Sequence, residues 1–131
     1  MDKYRIDRNL YHELKAFCLQ YDSKRAALRE MIKVASPSIT NEPRGSSTND
    51  PVSKTVIRRE RYKRDIEMIE KCARTVEAGR WETALIANCC RRVSYERIPI
   101  EDLASSNRYS FFLARRKFFY LLAREKYSDF D

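Results

Sequence analysis

Three consecutive cations stand directly before an apolar run near the end of the chain. Arg115, Arg116 and Lys117 precede FFYLLAREK, whose aromatic and aliphatic side chains are typical of a packed helix. Guanidinium and ammonium groups bind phosphate, whereas cations are almost never buried without a partner. The pattern predicts a helix with two functions: one face packs into the protein and the other binds a polyanion. The alternative is a core helix whose charges are only solvated.

A helical wheel separates the two faces of this final helix, which we expect over residues 107–126. Arg115 projects from the apolar side, so we expect it to extend to solvent or to pair with Glu101 or Asp102. Surface helices usually mix Glu with Lys, but the opposite face has no carboxylate, which favours nucleic acid as the partner. The apolar face holds Phe111, Phe112, Ala114, Phe118, Phe119, Leu121 and Leu122, and the opposite face holds Ser106, Tyr109, Ser110, Leu113, Arg116, Lys117, Tyr120 and Arg124.

The composition of the whole chain agrees with this hypothesis. The 131 residues carry a net charge of +8, and such a basic balance on a short chain suggests nucleic acid before an anionic membrane. With only 2 Gly and 4 Pro and no alternating pattern, we predict an all-α fold. No apolar run is long enough for a membrane span and no signal peptide is visible, so we expect a cytoplasmic protein without a membrane partner.

The apolar periodicity divides the chain into an N-terminal helical segment (1–35), a flexible linker (36–53) and a helical DNA-binding domain (54–131). The first segment is predicted to be a helix pair, with one helix over 8–21 and a second capped by Asp22 or Ser23. Residues 36–51 hold three of the four prolines among Ser, Thr and Asn, which is typical of a linker. Asp50-Pro51 is a helix-start signal, and the long middle helix that follows is expected to stop at Gly79.

The order of elements over about 81–125 predicts a helix-turn-helix. A helix over 81–93 is followed by a short supporting helix somewhere within 94–104, a Ser/Asn turn and the final helix. In this motif the last helix enters the major groove by its N-terminal residues. The expected DNA-contacting residues there are therefore Ser106, Asn107, Arg108, Tyr109, Ser110, Arg116 and Lys117.

A second basic stretch opens the middle helix. Residues 54–64 (KTVIRRERYKR) hold six cations against one carboxylate, Glu60. The stretch is a candidate second DNA contact or a surface for RNA polymerase, and an acidic protein surface is the remaining alternative. Its candidate binding residues are Arg58, Arg59, Arg61, Lys63 and Arg64.

Catalytic and metal-binding patterns are missing from the sequence. The single histidine, His12, is distant from the adjacent cysteines Cys89 and Cys90, and the spacing of the four cysteines, with Cys18 and Cys72, matches no C-x-x-C site. No phosphate-binding loop, zinc-protease motif or nucleophile elbow occurs. We therefore expect no enzyme, no cofactor and no metal, and we interpret the cysteines as reduced buried thiols.

Three blocks of the chain resemble the RinA-type transcriptional activators of phages of Gram-positive bacteria. These are YHELKAFCLQY, IRRERYKRDIEMIEKC and FFLARRKFFYLL, in the order of the family. The resemblance implies a late-gene activator that binds promoter DNA with host RNA polymerase, through a C-terminal helix-turn-helix similar to sigma factor region 4. It places the DNA-facing positions among Asn107, Arg108, Ser110, Arg116 and Lys117. The chain departs from the family where PIEDLASS lengthens the turn before the final helix.

The main alternative is the small terminase subunit or another phage DNA-packaging protein with a helix-turn-helix. Those proteins form rings and usually carry the DNA-binding domain first, whereas the best groove helix here is last, which favours a regulator. Oligomeric state stays open, since the N-terminal helix pair could dimerise through Leu10, Leu14 and Phe17 or fold onto the middle helix.

Overall fold

The computed structural model describes residues 3–35 and 51–127, and within them it confirms the all-α prediction. These residues form five α-helices and three short 3-10 turns, with no strand in either range. The predicted flexible linker lies outside the described residues apart from 51–53, which already belong to the third helix. The helices are α1 (Arg8–Cys18), α2 (Tyr21–Ala35), α3 (Pro51–Thr75), α4 (Glu82–Arg91) and α5 (Arg108–Lys126).

The boundary between α1 and α2 differs from the prediction. Asp7 caps α1, because its Oδ2 accepts a hydrogen bond of 3.0 Å from the Asn9 N–H. The helix ends at Cys18, and Tyr21 opens α2 instead of closing α1. Asp22 therefore lies in the first turn of α2 and does not cap it; its carboxylate instead binds Arg91 Nε at 2.9 Å.

Helices α2 and α3 pack side by side in opposite directions. Tyr21 Oη donates to Glu70 Oε2 at 2.6 Å, and Lys24 Nζ lies 2.8 Å from Asp65 Oδ2. Residue numbers therefore increase along α2 as they decrease along α3, so the two helices are antiparallel. The Lys24–Asp65 pair is well shielded from water, and such a pair holds register better than an exposed one.

One hydrophobic core joins the N-terminal helices to the rest of the chain. Leu14 and Cys18 of α1 are fully buried in the same cluster as Ile69 of α3, Leu85 of α4 and Phe118 of α5. The N-terminal helix pair thus folds onto the body of its own chain. Leu14 and Phe17, two of the three residues named as possible dimer contacts, are already buried within it.

The chain reverses between α3 and α4 through left-handed backbone. The middle helix ends at Thr75, four residues before the predicted stop at Gly79, because Glu77, Ala78 and Gly79 have φ angles of 48°, 59° and 82°. Of these three residues, only Gly79 adopts this conformation without steric cost. The left-handed backbone that ends the helix therefore extends over Glu77 and Ala78 as well as the glycine. Of the helices described, none has the length and apolar character needed to cross a membrane.

Candidate nucleic-acid interface

The predicted supporting helix between α4 and α5 is replaced by two 3-10 turns. Tyr95–Arg97 and Ile100–Asp102 each form one turn, and the chain between them is extended at Ile98 and Pro99. Proline lacks an N–H and forces the preceding residue out of the helical region, which explains why no α-helix continues through 94–104. Helices α4 and α5 are therefore joined by residues 92–107 and not by the tight turn of a standard helix-turn-helix.

The N-terminus of α5 is capped as the Ser/Asn cluster predicts. Asn107 Oδ1 accepts from the Tyr109 N–H at 2.9 Å, and Ser105 Oγ accepts from the Asn107 N–H at 3.1 Å. The Ser110 N–H donates to the Asn107 carbonyl at 3.0 Å. These N–H groups are already satisfied within the chain. A phosphate at this end would therefore rely on side chains more than on the free backbone donors expected from the sequence.

Arg108 lies at the centre of the surface around this N-terminus. Its Nη1 lies 2.6 Å from Glu96 Oε2, and its guanidinium stands 5.1 Å from the ring centres of both Tyr95 and Phe112. The Arg108 hydrogen bond lowers the pKa of the Glu96 carboxyl. Tyr109, beside it, is 72% exposed. The first turn of α5 thus presents a positioned cation and an exposed aromatic hydroxyl to solvent.

Farther along α5, the predicted cationic face is partly covered by other elements. Arg116 is exposed, whereas Lys117 is half-buried, with its Nζ 3.9 Å from Glu77 Oε2. The ring of Tyr4 packs edge-on against Tyr120 at 5.4 Å and lies 5.7 Å from Lys117 Nζ. The face without a carboxylate on the helical wheel thus receives one from another element, Glu77, beside Lys117.

Arg115 is not placed as the sequence predicted. It pairs with neither Glu101 nor Asp102: its Nε donates to Asn88 Oδ1 at 2.7 Å, and its Nη2 donates to Tyr11 Oη at 3.0 Å. The guanidinium also stands 5.1 Å from the ring centre of Phe119. These partners are neutral, so they fix the direction of the cation without neutralising it. Burial was also mispredicted for Phe112, which is 37% exposed.

The two basic regions predicted to bind DNA lie at opposite ends of the molecule. Along α5, Glu125 lies 3.4 Å from Lys71, and Lys117 lies 3.9 Å from Glu77, so α3 and α5 run in opposite directions. At 1.5 Å per residue, the basic start of α3 extends about 20 Å beyond the C-terminal end of α5. The five candidate cations at the start of α3 are Arg58, Arg59, Arg61, Lys63 and Arg64. Arg59 is half-buried and the other four are exposed. None of the five forms an ion pair with another described side chain.

An open groove between the N-terminal segment and α5 was missed by the sequence analysis. Its volume is about 660 Å³, and four arginines, four aromatic rings and Ile6 line it. We call it the α1–α5 groove. Arg5 and Arg8 stand far from α5 in the chain, so only their identity as cations was visible in the sequence. The complete lining is Tyr4, Arg5, Ile6, Arg8, Tyr11, Phe112, Arg115, Arg116 and Phe119.

The cysteines lie in the core of the part of the chain that the structure describes. Cys18, Cys72, Cys89 and Cys90 are free and buried, and the described side chains contain no cluster of three metal-ligating residues. Burial is the main cause that raises the pKa of the Cys72 and Cys89 thiols to about 12. These thiols are therefore neutral near pH 7, and a neutral thiol is neither a good metal ligand nor a nucleophile.

Comparison of the chain with protein-family models, with curated proteins and with solved structures found no match.

Proposed function

We propose that the chain is a sequence-specific DNA-binding transcriptional regulator, and more narrowly a phage late-gene activator. In this proposal it acts at a promoter together with RNA polymerase, in the cytoplasm of the bacterial host, and it binds without catalysing a reaction. The fold would be a variant helix-turn-helix comparable to sigma factor region 4, in which the 3-10 turns between α4 and α5 replace the supporting helix.

The observation that carries this proposal is the surface at the N-terminus of α5. Arg108, Tyr109 and Ser106 are exposed there together, and Arg116 is exposed two turns later on the same helix. Arginine can bond guanine O6 and N7 in the major groove, and serine and tyrosine hydroxyls can bond a base edge or a phosphate. The net charge of +8 supplies the attraction to phosphate that specific binding needs.

A selection of binding sites from random duplex DNA tests the proposal. The expected result is one enriched sequence, with enrichment lost in Arg108→Ala and Tyr109→Ala variants that keep the wild-type circular dichroism spectrum. Enrichment of no sequence would contradict specific recognition. Run-off transcription from the enriched sequence with bacterial RNA polymerase then tests activation. Light scattering addresses the packaging alternative, because a ring of many subunits would favour a terminase subunit.

A further inference from the structure

The α1–α5 groove combines two kinds of group that are seldom found together. Its walls carry four guanidinium groups, from Arg5, Arg8, Arg115 and Arg116, and none of its lining residues has a carboxylate. Lining of this kind attracts an anion, because each cation adds to the local potential and the lining itself contributes no negative charge. Arg5 and Arg8 are exposed, so their charges are directed to solvent around the groove.

Arg115 gives the groove a cation that is held in a fixed position. Two of its N–H groups are used by Asn88 and Tyr11, both neutral, and the planar group lies over the rings of Tyr11 and Phe119. A guanidinium has five N–H donors, so others remain in the plane for a ligand. Because the side chain is already held, binding a phosphate costs little further loss of rotamer freedom.

Phe112 provides an aromatic surface beside these cations. It lines the groove, is 37% exposed and stands next to Arg108, whose guanidinium lies 5.1 Å from its ring centre. The groove is therefore continuous with the α5 surface to which we assign duplex binding. An exposed ring can stack a nucleic-acid base only if that base is unpaired, since paired bases are stacked within the duplex.

We propose that the α1–α5 groove binds unpaired nucleotides of single-stranded DNA, with the phosphates on the arginines and a base on Phe112. An acidic peptide would satisfy the arginines but would leave the aromatic wall without a partner, so the lining favours a nucleotide. The inference deepens the proposed function and rests on it for the choice of DNA as the polymer. It adds a single-strand site to the duplex surface of α5.

Fluorescence anisotropy with two labelled probes tests this site. One probe is an oligothymidylate of about 12 nucleotides, within the usual size range of single-strand sites. The other is an abasic phosphodiester of the same length and charge. We expect the thymidylate to bind more tightly than the abasic strand, on the order of tenfold for one stacked base. Equal binding of the two probes would overturn the stacking contact and with it the proposal.

Variants locate the binding in the groove. Arg5→Ala and Arg8→Ala are each expected to lower the slope of log affinity against log salt by about 0.7 on the single strand. Phe112→Leu should remove the preference for thymidylate over the abasic strand, with thermal melting used to confirm that it folds. Arg29→Ala, an exposed arginine on α2, is the charge-matched control. Single-strand binding that is unchanged in all groove variants would overturn the assignment.

A blunt duplex separates this inference from the proposed function. Arg5→Ala and Arg8→Ala should leave sequence-specific duplex binding close to wild type. If the wild-type protein binds thymidylate but shows no sequence preference on duplex DNA, the regulator proposal is refuted and the single-strand site is not. The last competitor is an unlabelled polyglutamate peptide. If it displaces labelled thymidylate as effectively as the unlabelled abasic strand does, the groove is a general anion-binding surface, and the nucleotide site is contradicted.

Discussion

Arg108 Nη1 and Glu96 Oε2 lie 2.6 Å apart, which joins the first turn of α5 to the 3-10 turn over Tyr95–Arg97. Both side chains are more than half exposed, so the pair is open to competition from solvent ions. In the proposed complex, a DNA phosphate and the Glu96 carboxylate compete for one guanidinium. We therefore expect the ion pair to oppose DNA binding while it orients Arg108.

Replacing the competing carboxylate is expected to strengthen DNA binding. Glu96→Gln keeps the shape of the side chain but removes its charge, and exposed ion pairs are worth little, so we expect a gain on the order of twofold to fivefold. The measurement is a gel shift on the selected duplex at fixed salt. Glu101→Gln, an exposed change of equal charge in the next turn, is the control. An equal gain in the two variants would show that only net charge matters.

Arg116 and Lys117 are expected to contribute unequally to duplex binding, although they are neighbours in sequence. Arg116 is exposed, while Lys117 is half-buried near Glu77 and Tyr4. We expect Arg116→Ala to lower the salt slope of duplex binding by about 0.9, and Lys117→Ala to lower it by less. Titrations at several salt concentrations provide the slopes, and unchanged helicity by circular dichroism is the control. A larger effect of Lys117→Ala would contradict the assignment.

The basic start of α3 is expected to act independently of α5. Arg58→Gln and Arg61→Gln together should reduce the salt slope by up to about 1.8 if both contact phosphate of the same duplex. Because these residues lie beyond the far end of α5, the loss should appear only with duplexes long enough to reach them. Affinities for a short and a long duplex that share the selected sequence measure this. If binding is unchanged but transcription falls, the stretch contacts polymerase.

The left-handed end of α4 predicts a stabilising substitution. Arg92 has φ 59° and ψ 27°, a conformation that costs a non-glycine residue about 1–2 kcal/mol. Arg92→Gly removes that cost but increases the freedom of the unfolded chain, so we expect a net gain of about 0.5–1 kcal/mol. Urea unfolding measures it. Arg92→Ala removes the same side chain but keeps Cβ, and it should give no such gain.

Stability should fall in alkaline solution, partly through Tyr21. Burial and then the hydrogen bond to Glu70 raise the pKa of Tyr21 from 10.0 to about 12. Between these values the unfolded state loses the phenolic proton while the folded state keeps it, so the free energy of unfolding decreases as pH rises. Urea unfolding at several pH values across this window shows the slope. Tyr21→Phe should have a shallower slope there, and an identical slope would exclude this contribution.

The sequence was sufficient to predict that the five α-helices exist, because their periodicity reflects local geometry, but it did not place all of their ends. Asn107 as the cap of α5 and the buried stripe of Phe111, Phe118 and Leu122 follow from spacing alone. The connection before α5 was not predictable in this way. Pro99 indicated a break, yet a segment as short as IEDLA fits one helical turn and a 3-10 turn equally well.

Partners that are distant in sequence account for the other errors. Arg115 was expected beside Glu101 or Asp102 because those carboxylates are close in the chain, but Tyr11 and Asn88 hold it after α1 and α4 pack against α5. A helical wheel describes the side chains of one helix and does not show the side chains that neighbouring helices bring into contact with it. The carboxylate of Glu77, which lies beside Lys117 on the cationic face, was absent from the wheel for the same reason.

The four buried thiols can report when individual helices separate from the core. Cys18 reports on α1, Cys72 on α3 and the adjacent pair Cys89–Cys90 on α4. A thiol-reactive reagent can reach each position only when its helix detaches from the core, since the folded protein keeps the sulfurs out of water. The order in which the three helices become labelled would rank their detachment from α5, without introducing any probe into the chain.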